Sequence, residues 1–389
     1  MQKMTKSALC AITCVVSTTV VATNWYVDAN NGDDGWDGTT AVIPGHVTVE
    51  AGGVIHGPRQ TLHAMMSDNS VVAGDTIYAA EGDYKEGGAV VGTDQTINRV
   101  QVKAGVTLCA SGLRDMTFIT GSGGTFEEGA YSNGAVRCVY FIVPSAEETS
   151  AGYDCGIVKG FTLRDGRTAN ASANSMFGGA STGAGLLVEC DFRNNGCYNE
   201  SRAGTMYAGT ALRCRFSGFA RGYLGHEGTK VIDSLVVANG CFYWSCTTYN
   251  CTFTGDGYVR KNGTSSKSAT YNCLFMGNGA GRSDQKGTPH YNAFSRSNFH
   301  DTGCTTNETC RVVTVGETPY DETTFRPRSH SVAINAGDIS YYVMATNGWK
   351  AAWLAECGKD YCGGVRVREG QIDVGAGEYI HKGLILTVR

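Results

Sequence analysis

A short phrase recurs through the middle of this chain, in which polar and apolar residues alternate around a small residue. Its copies align on Cys190, Cys214, Ser234, Cys251, Cys273 and Ala293. Neighbouring copies lie 17 to 24 residues apart. A repeat of about 20 residues is typical of solenoids, in which each copy forms one turn of a coil.

The composition of the phrase predicts which kind of coil forms. Cys190 and Phe192 alternate with Asp191 and Arg193, and this period of two indicates a half-buried β-strand. Short strands joined by turns rich in Gly, Asn and Asp predict a parallel β-helix, an all-β fold. The 53 glycines and only 6 prolines agree, because such turns favour glycine and proline would remove donors from the strand ladders.

The N-terminus and the overall charge predict where the protein is located and which partners it lacks. Residues 1–22 combine Lys3 and Lys6 with an apolar run that ends at Ala22, which is typical of a secretory signal peptide. A net charge of −4 gives no basic field for nucleic acid, and no later stretch is long enough to span a membrane. We therefore expect a soluble monomer that is secreted, extracellular or periplasmic. Its mature chain would comprise a cap and first rungs (23–105), the β-helix (106–300) and a C-terminal cap or tail (301–389).

Cysteine usage predicts disulfides, since fourteen cysteines follow the signal segment and the expected compartment is oxidising. The pairs close enough in sequence to close local loops are Cys304/Cys310, Cys357/Cys362 and Cys241/Cys246. For the stacked pairs Cys190/Cys214 and Cys251/Cys273, a disulfide and a ladder of buried thiols both remain open. No cysteine or histidine spacing suits zinc.

Five blocks of sequence near the two ends resemble a known superfamily. The N-terminal blocks are WYVDANNGDDGWDG (25–38), GPRQTLHA (57–64) and GDTIYAAEGDY (74–84), and the C-terminal ones are SVAINAGD (331–338) and IDVGAGEY (372–379). In this order they are similar to secreted proteins of the pectate-lyase-like superfamily with a choice-of-anchor type of C-terminal tail. The resemblance implies a single-stranded right-handed parallel β-helix with an N-terminal cap helix, at Thr61 to Met66, and a C-terminal capping tail. It also implies an extracellular, acidic polysaccharide as the partner.

Two columns of outward residues on the repeated strand are the candidate site. One column contains Glu189, Arg213, Asp233, Asn250, Asn272 and Asn292, and the other contains Asp191, Arg215, Leu235, Thr252 and Leu274. Alternating charges on an exposed sheet form either a salt-bridge ladder of little energetic consequence or a cleft for uronates. Residues 167–184, rich in Ala, Ser, Gly and Asn, are expected to form a loop beside it that builds a binding face.

A lyase of the resembled superfamily would need a base and a cation beside the uronate carboxylate. We assign Arg215, Arg213 and Lys159 as candidate base or carboxylate clamp, because a guanidinium fork suits a carboxylate. Candidate Ca²⁺ ligands are Asp191, Glu189 and Asp233. Candidate substrate-binding residues are Arg193, Tyr223, His226 and Trp244.

Neither catalysis nor the metal is fixed by a motif. The carboxylates of residues 28–37 suit a structural Ca²⁺ loop and Asx turns equally well. We predict that the protein is exported, binds an acidic polysaccharide and cleaves it by β-elimination. The alternative is a non-catalytic surface, adhesion or carbohydrate-binding scaffold.

Overall fold

A computed structural model describes most of the chain. The described residues are 22–45, 53–91, 96–123, 126–127, 130–131, 134–169, 177–197, 203–218, 223–226, 228–237, 246–254, 268–277, 289–296, 305–306, 308–321 and 324–380. The predicted signal segment therefore lies outside them, apart from Ala22.

Three parallel sheets form the body of the protein, and strands are numbered along the chain. Sheet A consists, in spatial order, of β1 (Asn24–Val27), β2 (Thr76–Ala79), β5 (Thr107–Ala110), β10 (Ile157–Lys159), β13 (Leu186–Val188), β16 (Thr210–Leu212), β19 (Thr229–Ile232), β21 (Cys246–Tyr249), β23 (Ala269–Tyr271), β25 (Pro289–Tyr291) and β27 (Thr305–Thr306). Sheet B consists of β3 (Gly82–Tyr84), β6 (Thr117–Thr120), β11 (Thr162–Arg164), β14 (Asp191–Arg193), β17 (Arg215–Phe216), β20 (Leu235–Val236), β22 (Thr252–Phe253), β24 (Leu274–Phe275), β26 (Phe294–Ser295) and β28 (Arg311–Val312).

Sheet C is shorter and helices are few. The sheet contains β4 (Ile97–Val102), β9 (Val136–Phe141), β12 (Ser181–Thr182), β15 (Ala203–Tyr207) and β18 (Tyr223–His226), while β7 (Phe126–Glu127) and β8 (Ala130–Tyr131) form a separate antiparallel pair. The helices are α1 (Leu62–Ser67), α2 (Ala146–Ser150), α3 (Ile339–Thr346), α4 (Ala351–Leu354) and a 3₁₀ turn at Arg114–Met116. Long all-parallel sheets with few helices are consistent with a parallel β-helix solenoid. We call sheets A, B and C the coil.

The register predicted for the repeated phrase is confirmed. Phe192 pairs with Phe216 and then with Val236, and the column continues through Phe253 and Phe275 to Ser295. Every aligned residue from Cys190 to Ala293 is fully buried. Phe192 stacks on Phe216 with ring centroids 4.6 Å apart, so the in-register strands place like residues in contact inside the coil.

The corner between sheets A and B differs from the prediction. Glu189, Arg213, Asp233, Asn250, Asn272 and Asn292 are turn residues in the left-handed region, with φ between 47° and 54°, and are not strand residues. Each of the first five donates its backbone N–H to a carbonyl of the next rung, as Glu189 does to Leu212 at 3.0 Å. The corner therefore turns sharply once per rung while its backbone hydrogen bonds continue.

Residues 313–321 and 324–380, together called the tail, pack on the flank of the coil. Tyr342 and Trp353 join the outward residues Leu212 and Ile232 of sheet A in one buried cluster. Tyr320 and Val374 join Leu274 and Phe294 of sheet B in another. The tail therefore buries the outward faces of sheets A and B on these rungs, and it forms a second layer over the coil.

The N-terminal features occur where they were predicted. Helix α1 begins one residue after the predicted start, capped by the Thr61 hydroxyl, and buries Leu62, Met65 and Met66 in the main core. In the acidic loop, the Asp28 carboxylate accepts the N–H groups of Asn30 and Asn31. Asp34 likewise accepts those of Gln60 and Thr61. Hydrogen bonding of this kind is what Asx turns and caps provide, so these carboxylates have an explanation without a metal.

Two other expectations are not met. The first concerns the predicted loop 167–184, of which residues 170–176 lie outside the described part. Thr168, Ala169 and Ala180 are buried, and Ser181–Thr182 is a strand of sheet C. The described ends of this loop pack into the coil instead of projecting from it.

No disulfide is seen among the twelve cysteines that the structure describes. Cys357 and Cys362 are therefore not bonded to each other. Cys241 and Cys304 lie outside the described residues, so the structure gives no account of the pairs predicted for them.

Candidate functional site

The outer side of sheet B changes character along the coil. Toward the C-terminus its outward residues are Leu235, Thr252, Leu274 and Phe294, all buried. On the four earlier rungs of β6, β11, β14 and β17 it carries charges, which we call the charged face: Arg114, Asp115, Arg164, Asp191, Arg193 and Arg215. Each of these rungs contributes one arginine, with Arg114 just before β6.

Two arginines of the charged face are already neutralised. Arg164 bonds Asp83 at 3.0 Å and lies 3.9 Å above the ring of Phe118. Arg193 bonds Asp191 at 2.8 Å and also pairs with Asp115. Although burial lowers the pKa of Arg193, the hydrogen bonds and charges of these two aspartates raise it above its ordinary value. These pairs form part of the salt-bridge ladder that the sequence suggested.

Arg114 and Arg215 differ from them. Neither forms an ion pair with any carboxylate in the described part of the chain, and the Nε atom of each is buried with no hydrogen-bond partner there. Both side chains are half-buried. Asp191 lies in register with Arg215, but its oxygens are already bonded to Arg193 and Ser217. Burial lowers the pKa of Arg114, but Tyr361 and the charges of Asp191 and Asp115 raise it above its ordinary value, so negative charge is near it without a direct ion pair. A half-buried guanidinium group without a direct ion pair favours an anionic ligand.

The tail borders the charged face at Tyr361. The charges of Arg114 and Arg215 both act on its hydroxyl. Burial nevertheless raises the pKa of Tyr361, although both arginines oppose this effect. The hydroxyl is therefore a neutral donor at physiological pH.

A groove of about 460 Å³ adjoins the charged face at the corner of the coil. It is lined by Cys109, Ala110, Gly112, Leu113, Arg114, Asp115, Lys159, Gly160 and Glu189. Arg114 and Asp115 belong to both, so the groove and the charged face are continuous.

Arg213 and Asp233 do not reach this surface, and the expectation that they lie on an exposed sheet is wrong. Arg213 is 1% exposed and bonds Glu189 at 3.0 Å and the Glu356 carboxylate of the tail at 3.3 Å. Asp233 is fully buried and pairs with Arg366 of the tail at 3.0 Å. Their corner position places both side chains under the tail, where they connect the two layers.

The remaining catalytic and metal candidates are also engaged. Lys159 lies on sheet A and bonds both oxygens of Glu356 at 2.8 Å. The candidate Ca²⁺ ligands Asp191, Glu189 and Asp233 are each paired with a different arginine. No cluster of three or more acidic, histidine or cysteine side chains suited to a metal is found among the described residues. These carboxylates therefore do not fit a Ca²⁺ site, because an arginine occupies each of them.

The predicted substrate-binding residues are scattered. Arg193 is on the charged face, whereas His226 is on sheet C, buried and stacked on Phe177 with ring centroids 4.8 Å apart. Tyr223 begins the same strand, and its side chain is outside the described part. Trp244 lies outside the described residues altogether.

Sequence reasoning missed Arg114, Asp115 and Tyr361. Arg114 and Asp115 belong to a 3₁₀ turn between repeats and not to the recurring phrase. Tyr361 is more than 140 residues from the strands it borders. No local pattern marks it.

Comparisons with known proteins give little further information. No family model and no curated protein matches the chain. Among solved structures, it matches a native GH136 lacto-N-biosidase from Eubacterium ramulus at 10% identity, over 75% of this chain and 68% of that one, with a TM-score of 0.32. A match at that TM-score carries no argument about activity. No helix in the described part of the chain has the length and apolar character to cross a membrane.

Proposed function

We propose that this protein is an exported, single-stranded right-handed β-helix protein that binds an acidic polysaccharide along the charged face. The observation that carries the proposal is the pair of half-buried arginines, Arg114 and Arg215, which have no direct ion pair in the described structure and whose buried Nε atoms have no hydrogen-bond partner there. Residues 1–22 support export, since they have the layout of a signal peptide.

The shape of the site favours an extended ligand. Neighbouring strands lie about 4.8 Å apart, so the four rungs from β6 to β17 span roughly 14 Å of sheet. The adjoining groove lengthens this surface around the corner. A polymer with regularly spaced carboxylates would meet Arg114 and Arg215 together, whereas a single small anion would meet one of them.

Cleavage by β-elimination is the chemistry that we propose for this site. Arg215 is the candidate that would hold the uronate carboxylate, because its guanidinium group is half-exposed and unpaired. Arg213 and Lys159 are held by Glu356 and are assigned no step. No step is assigned to Ca²⁺ either.

The ion pairs of Arg164 and Arg193 favour a second candidate, a non-catalytic binding scaffold. Half of the arginines on the charged face are neutralised by the protein itself, as in a structural ladder. On that account Arg114 and Arg215 bind the polymer and nothing is cleaved.

One experiment separates these functions. The purified protein is incubated with polygalacturonate, alginate and a neutral glucan, with and without Ca²⁺, and binding and unsaturated uronide are measured. We expect Arg215→Gln and Arg114→Gln each to weaken polyuronate binding about 10- to 100-fold, since each removes a charge-assisted contact. Arg311→Gln is the matched control, because Arg311 is an exposed arginine of sheet B outside the charged face.

The outcomes are distinct. Unsaturated products from a polyuronate would support the lyase, and binding without products would support the scaffold. Polyuronate binding that is absent, or that is unchanged in both arginine variants, would refute the proposal.

A further inference from the structure

Sheet A carries an outward row of side chains that is open at its N-terminal end. Its first four members, on β1, β2, β5 and β10, are in register and half-buried: Tyr26, Tyr78, Cys109 and Lys159. The next member, Val188, is fully buried in the cluster that sheet A forms with the tail. The tail therefore covers the row beyond Lys159 and leaves these four side chains accessible. We call them the open row.

Two tyrosines give the open row an aromatic surface. Tyr78 points away from the core, because its strand neighbours Ile77 and Ala79 are fully buried. Its ring stacks on that of Tyr26, with centroids 5.9 Å apart and 25° between the planes. The other face of the Tyr78 ring is directed along the row toward Cys109, a small side chain. A flat apolar surface of this kind suits the apolar face of a sugar ring.

The open row is continuous with the charged face. Cys109 and Lys159 belong to the row and also line the groove at the corner of the coil. Arg114 and Asp115 of the charged face line the same groove. An extended ligand held on the charged face can therefore continue through the groove onto sheet A.

The charges along this path are compensated by the protein itself. Lys159 bonds Glu356 at 2.8 Å, and Glu189 bonds Arg213 at 3.0 Å. The side chains of Lys159 and Glu189 are nevertheless 31% and 39% exposed, so both are accessible to the hydroxyl groups of a ligand. A ligand carboxylate in the groove would compete with Glu356 for Lys159. A neutral unit rich in hydroxyl groups suits the groove better.

We infer that the groove and the open row form a second subsite, which binds neutral sugar units next to the uronate held on the charged face. The inference rests on the function proposed above and narrows its ligand to a heteropolysaccharide in which neutral sugars accompany the uronates. Lys159 and Glu189 bond hydroxyl groups in the groove, and Tyr78 stacks on a sugar ring above Cys109.

Calorimetry with two oligosaccharides of equal length tests this subsite. One is an oligogalacturonate, and the other is a rhamnogalacturonan backbone fragment, in which galacturonate alternates with rhamnose. We expect the wild type to bind the second about tenfold more tightly, because a neutral ring occupies the groove without displacing Glu356 from Lys159.

Tyr78→Ala should remove most of this preference, with a smaller effect on the oligogalacturonate. Tyr291→Ala is the matched control, since Tyr291 is a half-buried tyrosine of the same sheet, stacked on Tyr271 at 4.8 Å and remote from the groove. Equal affinity of the wild type for the two oligosaccharides, or a preference that survives Tyr78→Ala, would overturn the inference. The proposed function would then still stand, provided that oligogalacturonate binding depends on Arg215.

A second readout uses the wild-type chain. Cys109 lines the groove, so the rate at which iodoacetamide alkylates it, followed by peptide mapping, reports whether the groove is occupied. We expect the rhamnogalacturonan fragment to protect Cys109 but not Cys362, a half-buried cysteine of the tail. Binding of the fragment with no protection of Cys109 would refute the subsite. If the fragment binds through Tyr78 independently of Arg215, the subsite is supported and the proposed function fails; if neither oligosaccharide binds, both fail.

Discussion

Arg366 shows, at the scale of single residues, how the tail is joined to the coil. It is fully buried and lies between Asp233 of the coil, at 3.0 Å, and Glu378 of the tail, at 2.7 Å. Asp373 and Asp360 also face this group of charges. Arg326 also pairs with Asp360 at 3.4 Å. Carboxylates still outnumber the guanidinium groups beside them, and burial makes each further negative charge costly.

This excess predicts a pH-dependent stability. Burial raises the pKa of Glu378 to about 8 from 4.5, with Arg366 opposing the rise and Asp373 adding to it. The folded protein therefore retains a proton that the unfolded chain releases above pH 4.5. The stabilisation from this proton is complete below pH 4.5 and is lost as the pH rises toward 8. We expect the free energy of unfolding to fall over that interval, as measured by urea denaturation.

Glu378→Gln should flatten this slope, because glutamine carries no titrating proton. Asp233 contributes in the same direction, since burial raises its pKa to about 6 from 3.8, so a slope should persist at the acidic end of the interval. Glu147→Gln, at an exposed site on α2, is the control and should follow the wild type. An unchanged slope in Glu378→Gln would contradict the assignment.

At the scale of an element, the corner between sheets A and B is a ladder of side chains as well as of backbone. Asn272 donates to Asn250 at 3.0 Å and to the carbonyl of Asp338 at 2.8 Å. It accepts from Asn292 at 2.9 Å and from the N–H of Asp338 at 2.9 Å. One amide therefore satisfies two neighbouring rungs and the start of helix α3, and asparagine also tolerates the left-handed backbone.

Asn272→Ala should consequently be costly. We expect it to reduce the free energy of unfolding by about 3 kcal/mol, since it leaves buried polar groups unpaired and places alanine at a positive φ. Asn272→Gly loses the same hydrogen bonds but avoids the strain of a side chain at positive φ. It should therefore cost about 1 kcal/mol less than Asn272→Ala. The control is Asn194→Ala, at an exposed corner residue with φ 51° and a single side-chain bond, to Asp165. Equal losses at the two sites by chemical denaturation would refute the ladder.

At the scale of the whole molecule, the tail completes the core. Without it, the outward residues Leu212, Ile232, Leu274 and Phe294 would be exposed. Exposed apolar surface of that kind promotes association between molecules. We therefore expect deletion of residues 331–389 to give aggregated or protease-sensitive protein, as judged by gel filtration and limited proteolysis. A soluble truncation that unfolds cooperatively would show that the coil is stable alone.

A point substitution tests the same interface in the full chain. Trp353 is buried against sheet A, and its Nε1 donates to the carbonyl of Cys155 at 3.2 Å. Trp353→Ala should cost about 3 to 5 kcal/mol. Leu354→Ala, on the same helix at a half-exposed position, should cost far less.

Local residue patterns were enough to predict the coil and its register. In-register parallel strands stack equivalent residues of successive repeats on one another. Cys190, Cys214 and Cys251 therefore follow each other in space in the same order as along the chain. The alternation of two places Phe192 and Phe216 inside, because successive side chains of a strand point to opposite faces. Helix α1 was equally predictable, since Thr61 provides a local cap.

Long-range packing sets which outward residues are solvent-exposed and which are buried, and no local pattern predicts it. Glu189, Arg213 and Asp233 occupy the same corner position on successive rungs. The local sequence does not show whether a Glu or an Arg there adopts a left-handed turn or a strand conformation. Arg213 and Arg215 are two residues apart, but Glu356 covers the first and leaves the second unpaired. That difference arises from contacts between segments more than 140 residues apart in sequence, and repeats within the coil carry no information about what packs on them.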